Sequence, residues 1–249
     1  MLELELYQWV IAAVCAGLIG FSKLGVPGSG IMVVPMLAII LPARQSTGFL
    51  LPILCLADIM AIYFWRKHVQ WQQLIKLIPW SILGIIAGYY CLDIVSDAIL
   101  MPLIGTITLL LIAVTTWRNS RLGADRPIPT IWWFAALMGV LAGSTSMLAN
   151  AAGPIMTIYL LAMQLDKRDF VGTSAWFFWI INMVKVPFSM DLGLISPASL
   201  LVNLILIPCI IIGGILGYKL VHVVPQKLFN TLVTVLAVVT SIYLCLKAF

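Results

Sequence analysis

Gly20-Phe-Ser-Lys-Leu-Gly25-Val-Pro-Gly-Ser-Gly30-Ile-Met-Val-Val-Pro35 carries four glycines, two prolines and a lysine within an almost uninterrupted apolar region. A helix cannot run smoothly through residues 25–30, because proline lacks a donor N–H and glycine adds backbone freedom. Broken backbone at membrane depth persists only where it is buried in protein or lines a wet cavity. Such interruptions commonly build ligand sites, with exposed helix N-termini directed at anions.

The surrounding composition supports a membrane setting. Of 249 residues, 63% are hydrophobic and 9% charged, against roughly 25% charged in a soluble domain. That is too little charge to cover a water-facing surface, and the chain reads as an all-α polytopic membrane protein. No alternating strand pattern suggests a barrel. Glu3 and Glu5, rather than basic residues, precede the first apolar run, so it is expected to stay in the mature protein and not to be a cleaved signal. The net charge of +5 comes from Lys and Arg gathered between apolar runs, where they act as orientation signals and do not point to nucleic acid. Cys15, Cys55, Cys91, Cys209 and Cys245 are scattered singly and are expected to pack between helices.

Apolar runs bounded by charges, glycines or prolines fall at 6–22, 30–41, 46–65, 74–91 and 98–117, then at 131–148, 153–165, 171–190, 199–220 and 228–246. The second and seventh are short against the roughly 20 residues of a perpendicular crossing, so about eight to ten membrane helices are expected, some short or broken. The polar stretch 118–130 divides a first repeat, 1–117, from a second, 131–249. Ser22, Arg44, Gly48, Asp58 and the pair Ile31-Met32 recur at a constant offset as Ser146, Arg168, Gly172, Asn182 and Ile155-Met156. Gly84, Gly88 and Tyr89 recur as Gly213, Gly217 and Tyr218. With five segments per half, the repeats enter the membrane from opposite sides. An outside N-terminus then puts Arg66, Lys67, Lys76, Arg118, Arg121, Arg126, Lys167, Arg168, Lys219 and Lys227 inside, and Asp93, Asp97 and Asp191 outside, with Arg44 dissenting. The expected architecture is two inverted-topology repeats.

Polar groups at membrane depth are the site candidates. Ser22, Lys23, Gly28, Ser29 and Gly30 belong to the first break; Ser144, Thr145, Ser146, Asn150 and Gly153 lie in its counterpart, Gly143-Ser-Thr-Ser-Met-Leu-Ala-Asn-Ala-Ala-Gly-Pro154. Two breaks meeting near the midplane would offer backbone N–H groups and hydroxyl donors to the oxygens of a small sulfonate, sulfite or carboxylate; the plainer reading is close packing of small residues. Lys185, three residues after Asn182 on one helix face, either holds an anion or snorkels to an interface. Asp58 pairs with Lys23 or Lys185, or carries a proton as a coupling group. Lys23 either binds the anion or sits at the cytosolic mouth. Trp176 and Trp179 wall a cavity or simply pack; Tyr63, Trp65, Trp132 and Trp133 suit interfacial belts. His68 and His222 lie at loop margins with no ligand partners at metal-binding spacing, so no metal is expected.

The pattern Gly20-x-Ser-Lys-x-Gly25-x-Pro-Gly28-x-Gly30, followed by Pro35, resembles the first-half signature of the TauE/SafE family of sulfite and sulfonate exporters. Met147-Leu-Ala-Asn-Ala-Ala-Gly-Pro154 through Tyr159, and Gly172-Thr-Ser-Ala-Trp176 through Asn182-x-x-Lys185-x-Pro187, are similar to that family's second repeat. Ser29 departs from the family's run of consecutive glycines. The resemblance covers nearly the whole chain and implies a bacterial inner-membrane permease for small, often sulfur-containing anions such as sulfite, sulfoacetate or taurine-related compounds.

The expected function is secondary transport of such an anion by alternating access at a site between the repeats. A passive anion channel is the alternative. A membrane hydrolase would need clustered acid/base groups, whereas the chain offers one deep carboxylate and no spanning histidine. The expected partners are the anion and the bilayer, with a homodimer as a candidate assembly; no enzyme activity, cofactor or nucleic acid is expected.

Overall fold

Helix α1 (Leu6–Leu24) begins where the Gln8 side-chain oxygen accepts the Glu5 N–H at 2.9 Å and ends at Gly25, at the first break. In the computed structural model, residues 5–26, 30, 33–37, 43–91, 106, 109, 110, 113 and 132–246 are described. After the break come α2 (Val33–Leu37), α3 (Ala43–Trp65) and α4 (Trp71–Cys91). The second half contributes α5 (Trp132–Ala149), α6 (Gly153–Ala162), α7 (Lys167–Asp191), α8 (Pro197–Ile205), α9 (Ile207–Val223) and α10 (Gln226–Leu246). Every one of these described elements is a helix. Leu6–Leu24, Ser46–Trp65 and Trp71–Cys91 are each long and apolar enough to cross a membrane. The chain is a polytopic all-helical membrane protein. The linker 118–130 and most of the run 98–117 lie outside the described residues.

Of the two short runs, the first is described at residue 30 and in α2, and the second is the helix α6. α2 has five residues and α6 ten, so α6 reaches only about 15 Å at 1.5 Å per residue. α5 stops because Asn150 turns left-handed, with φ of 52°. Ahead of the next helix, the Ala151 N–H reaches the Thr145 carbonyl at 3.2 Å and Pro154 occupies the first turn. Asparagine tolerates that conformation because its short polar side chain can bond locally.

The run at 199–220, expected as one segment, is two helices bent by 50° about Leu206. Pro208 explains the bend: it has no N–H for the carbonyl one turn earlier, and its ring crowds that carbonyl. Ser196 starts α8, accepting the Ser199 N–H at 3.1 Å.

Packing divides the chain into two compact units, Met1–Val69 with Val171–Pro225, and Gln70–Phe170 with Gln226–Phe249. Each draws on both sequence halves, because the first helix of one repeat pairs with the fourth-segment helix of the other. In the first unit α1 lies on α9, where a β-carbon on Gly20 would overlap the Ile210 carbonyl and one on Gly213 the Gly17 carbonyl. In the second unit α4 lies on α5, where a β-carbon on Gly143 would overlap the Ser81 carbonyl and one on Gly84 the Val140 carbonyl. The register that matches Gly84 with Gly213 also matches Ser81 with Ile210, so one helix–helix contact is built twice. It pairs Gly20 with Gly143, one residue from the register read in sequence.

Replacing Gly20 or Gly143 by valine is expected to cost roughly 1–3 kcal/mol each through overpacking against a carbonyl. Thermal unfolding in detergent, followed by size-exclusion chromatography, checks this; two variants as stable as the parent would refute the close approach.

Candidate functional site: a buried charge cluster

The last turn of α1, the middle of α3 and the late part of α7 bring ionic groups together inside the first unit. Lys23 Nζ lies 2.7 Å from Asp58 Oδ1, with the lysine side chain 12% exposed and the carboxylate fully buried. The other oxygen, Asp58 Oδ2, accepts the Asn182 amide N–H at 2.7 Å. Lys23 also stands 4.0 Å from the centre of the Phe178 ring, a cation–π contact. Lys185, one turn beyond Asn182, is 1% exposed and within electrostatic range of Asp58, Lys23 and Cys55. Its burial rules out snorkelling. Among the described residues, Asp58 and Lys185 are the charged side chains classed as buried.

The local sequence explains these placements. α1 terminates at Gly25, so Lys23 falls in the last helical turn, where the helix dipole favours a cation. Cys55 and Asp58 are three residues apart and share a face of α3; Asn182, Lys185 and Ser189 make a buried polar stripe on α7. Asp58 and Asn182 are repeat counterparts, and they touch. The charges differ between the repeats, since Lys23 corresponds to Met147 and Lys185 to Ala61, both buried and uncharged.

The other first-break candidates are only partly placed. Ser22 is half-buried, and a β-carbon on Gly30 would stand 3.2 Å from its Oγ. Gly28 and Ser29 lie outside the described residues.

In the second unit, Ser144 Oγ donates to the Val140 carbonyl at 2.9 Å and Thr145 Oγ1 to the Leu141 carbonyl at 2.7 Å. These protons serve the helix's own backbone, leaving lone pairs rather than donors for any ligand. Ser146 is buried, Asn150 forms the left-handed turn, and space is open beside Gly153 at the start of α6. Trp176 and Trp179 meet edge to face on α7 with ring centres 5.7 Å apart.

Sequence reasoning missed three groups. Trp65, expected at an interface, is buried, and its indole N–H donates to the Leu24 carbonyl at 3.1 Å, capping α1 at the break. Both of the chain's histidines lie against its ring, His222 stacked at 5.5 Å and His68 edge-on at 5.9 Å. Cys55 and Phe178 border the cluster, and neither residue type signals that role in an apolar run. Tyr63, Trp132 and Trp133 are exposed, as interfacial residues would be.

Asp58, paired with Lys23 and bonded to Asn182, thus joins side chains from both sequence halves beside the end of α1. The family profile for the sulfite exporter TauE/SafE matches residues 9–244. The chain belongs to the TauE/SafE family. This is a transporter family, in keeping with the multi-pass helical architecture. No curated protein and no solved structure matches the chain.

Removing one partner of a buried ion pair strands the other, at a cost of roughly 3–5 kcal/mol. Lys23→Met and Asp58→Asn are therefore each expected to lower thermal stability, and the double variant to lose less than the two losses together. Strict additivity in a double-mutant cycle would show that the pair is not coupled.

Proposed function

We propose that the chain is a secondary transporter of small sulfur-containing anions, sulfite, sulfoacetate or a related sulfonate or carboxylate, working by alternating access. The observation that carries this reading is the buried polar cluster: Lys23 from the first repeat pairs with Asp58 at 2.7 Å, Asn182 from the second bonds its other oxygen, and Lys185 is buried one turn further along α7. Cationic and amide groups gathered out of water are the kind of groups that bind a small anion. Family membership adds the sulfite class of cargo.

In this reading Lys185 and Lys23 attract the anion, and Asn182 and the groups of the first break orient it. Trp176 borders its route, and Asp58 carries the coupling proton. The second break, with Ser144, Thr145, Ser146, Asn150 and Gly153, is the repeat-related moving part. The basic turns between α3 and α4, before α7, and between α9 and α10 support an inside location for those turns. We accordingly place the N-terminus outside, in a bacterial inner membrane.

Proteoliposomes loaded with labelled sulfite, sulfoacetate or acetate test the proposal. Saturable flux of at least one is expected, and its absence for all would refute transport; unitary currents in a planar bilayer would instead indicate a channel. Lys185→Met is expected to abolish flux while the protein still folds and inserts, and an unchanged rate and affinity would remove Lys185 from the site.

A further inference from the structure

From Asp58 toward the α3–α4 turn, the cluster's face of α3 continues through Ala61 to Trp65. Asp58 and Ala61 are inaccessible and Trp65 is 1% exposed, whereas the next two residues, Arg66 and Lys67, are exposed. Leu24 follows Lys23 directly, Ala61 lies one turn past Asp58, and Ala175 lies about two turns before Asn182; the three pack as one buried group. Trp65 is the last closed layer between that group and the water at the turn.

The ring is held from two sides. Its indole N–H donates to the Leu24 carbonyl at 3.1 Å, one of the carbonyls that lack helical donors where α1 ends. His222 stacks on it with planes 17° apart and Tyr218 leans on it at 5.1 Å, both from the end of α9. His222 is itself fixed, its Nδ1 donating to the Tyr218 carbonyl at 2.8 Å. Since His222 is exposed, the stack runs from the buried indole out to solvent. Rotation of the Trp65 side chain undoes the hydrogen bond and the ring contacts together without unwinding α3.

We propose that Trp65 is the gate at this end of the cluster, latched shut by the Leu24 carbonyl, and that its ring swings aside when an anion passes between Asp58 and the water at the α3–α4 turn. The proposal rests on the transport reading above. Latch and cluster are joined through α1, because Leu24 and Lys23 are neighbours: moving the ring releases the helix end that carries the ammonium group. The repeat counterpart of Trp65 is Ser189, buried on α7 beyond Asn182 and Lys185. Serine has no indole, so the two repeats do not build this device alike.

Cys55, one turn before Asp58 on the same face of α3, reports the opening. With Cys15, Cys91, Cys209 and Cys245 replaced by alanine, the full chain is reconstituted in liposomes. Cys55 is then modified by 2-sulfonatoethyl methanethiosulfonate, which does not cross the bilayer, applied to one membrane face at a time. Trp65→Phe keeps a ring but loses the N–H, so the Leu24 carbonyl gains a donor when water enters and the open state is favoured. Modification from the face of the α3–α4 turn is expected to run about fivefold faster than with Trp65 present, the weight of one hydrogen bond, and that from the opposite face not to accelerate. Should Trp65→Phe not fold, His222→Ala, which removes the stacked ring and leaves the indole, has to accelerate the same face.

An unchanged rate, or equal acceleration from both faces as loosened packing alone would give, overturns the gate; sulfite flux in the same liposomes then leaves the transport reading standing. Absence of flux for every anion tested overturns the transport reading, and the gate with it.

Discussion

A carboxylate shielded from water keeps its charge only where a cation and hydrogen-bond donors replace its hydration. Asp58 meets that demand with Lys23 on one oxygen and Asn182 on the other. Three helices must converge for this to happen, and much of the first unit follows from their convergence. α1 has to stop at Leu24 so that Lys23 stands in its last turn, where the exposed carbonyls of the helix end favour an ammonium group. α9 has to come close enough to hold that end. It does so through Gly213 and Gly217, whose missing side chains let the carbonyls of Gly17 and Phe21 approach.

The broken backbone brings a second demand, because carbonyls released at a helix end need donors when lipid surrounds the protein. At the first break Trp65 supplies one, its indole N–H reaching Leu24, while Tyr218, His68 and His222 fix its ring. At the second, the chain closes on itself through Asn150 and the Ala151 N–H. The hydroxyls of Ser144 and Thr145 bond back to α5 in the turns just before it. The repeats share the interruption but satisfy it differently, one with a distant aromatic side chain and the other with local backbone.

How much of this could be read from the sequence varies with the range of the forces involved. The breaks were legible at Gly25 and at Asn150–Pro154, because proline and glycine act on the backbone locally. Pairing of Asp58 with a lysine was legible too, since a deep carboxylate needs a cation and few were available. Which lysine, and that Asn182 would complete the shell, depended on how α1, α3 and α7 cross. Trp65 gave no signal, as a tryptophan near a helix end looks the same at an interface as inside a cap. The bend at Leu206 was hidden because Pro208 lies in an unbroken apolar run, and Pro79 within α4 leaves that helix continuous. The interleaving of the two halves was also hidden, since a repeat in sequence says nothing about which copy each helix packs against.

The bond between Asp58 and Asn182 has a consequence for how such a protein can be assembled. Two identical subunits meeting on a dyad must present the same residue to each other. Aspartate facing aspartate would have to share a proton, and asparagine facing asparagine would carry no charge at all. Joining the two copies in one polypeptide lifts that restriction, for each side of the axis can then mutate alone. The acid–amide contact between α3 and α7, with Lys23 contributed by one half and Lys185 by the other, is therefore open to a fused duplicate and closed to any strictly symmetric dimer.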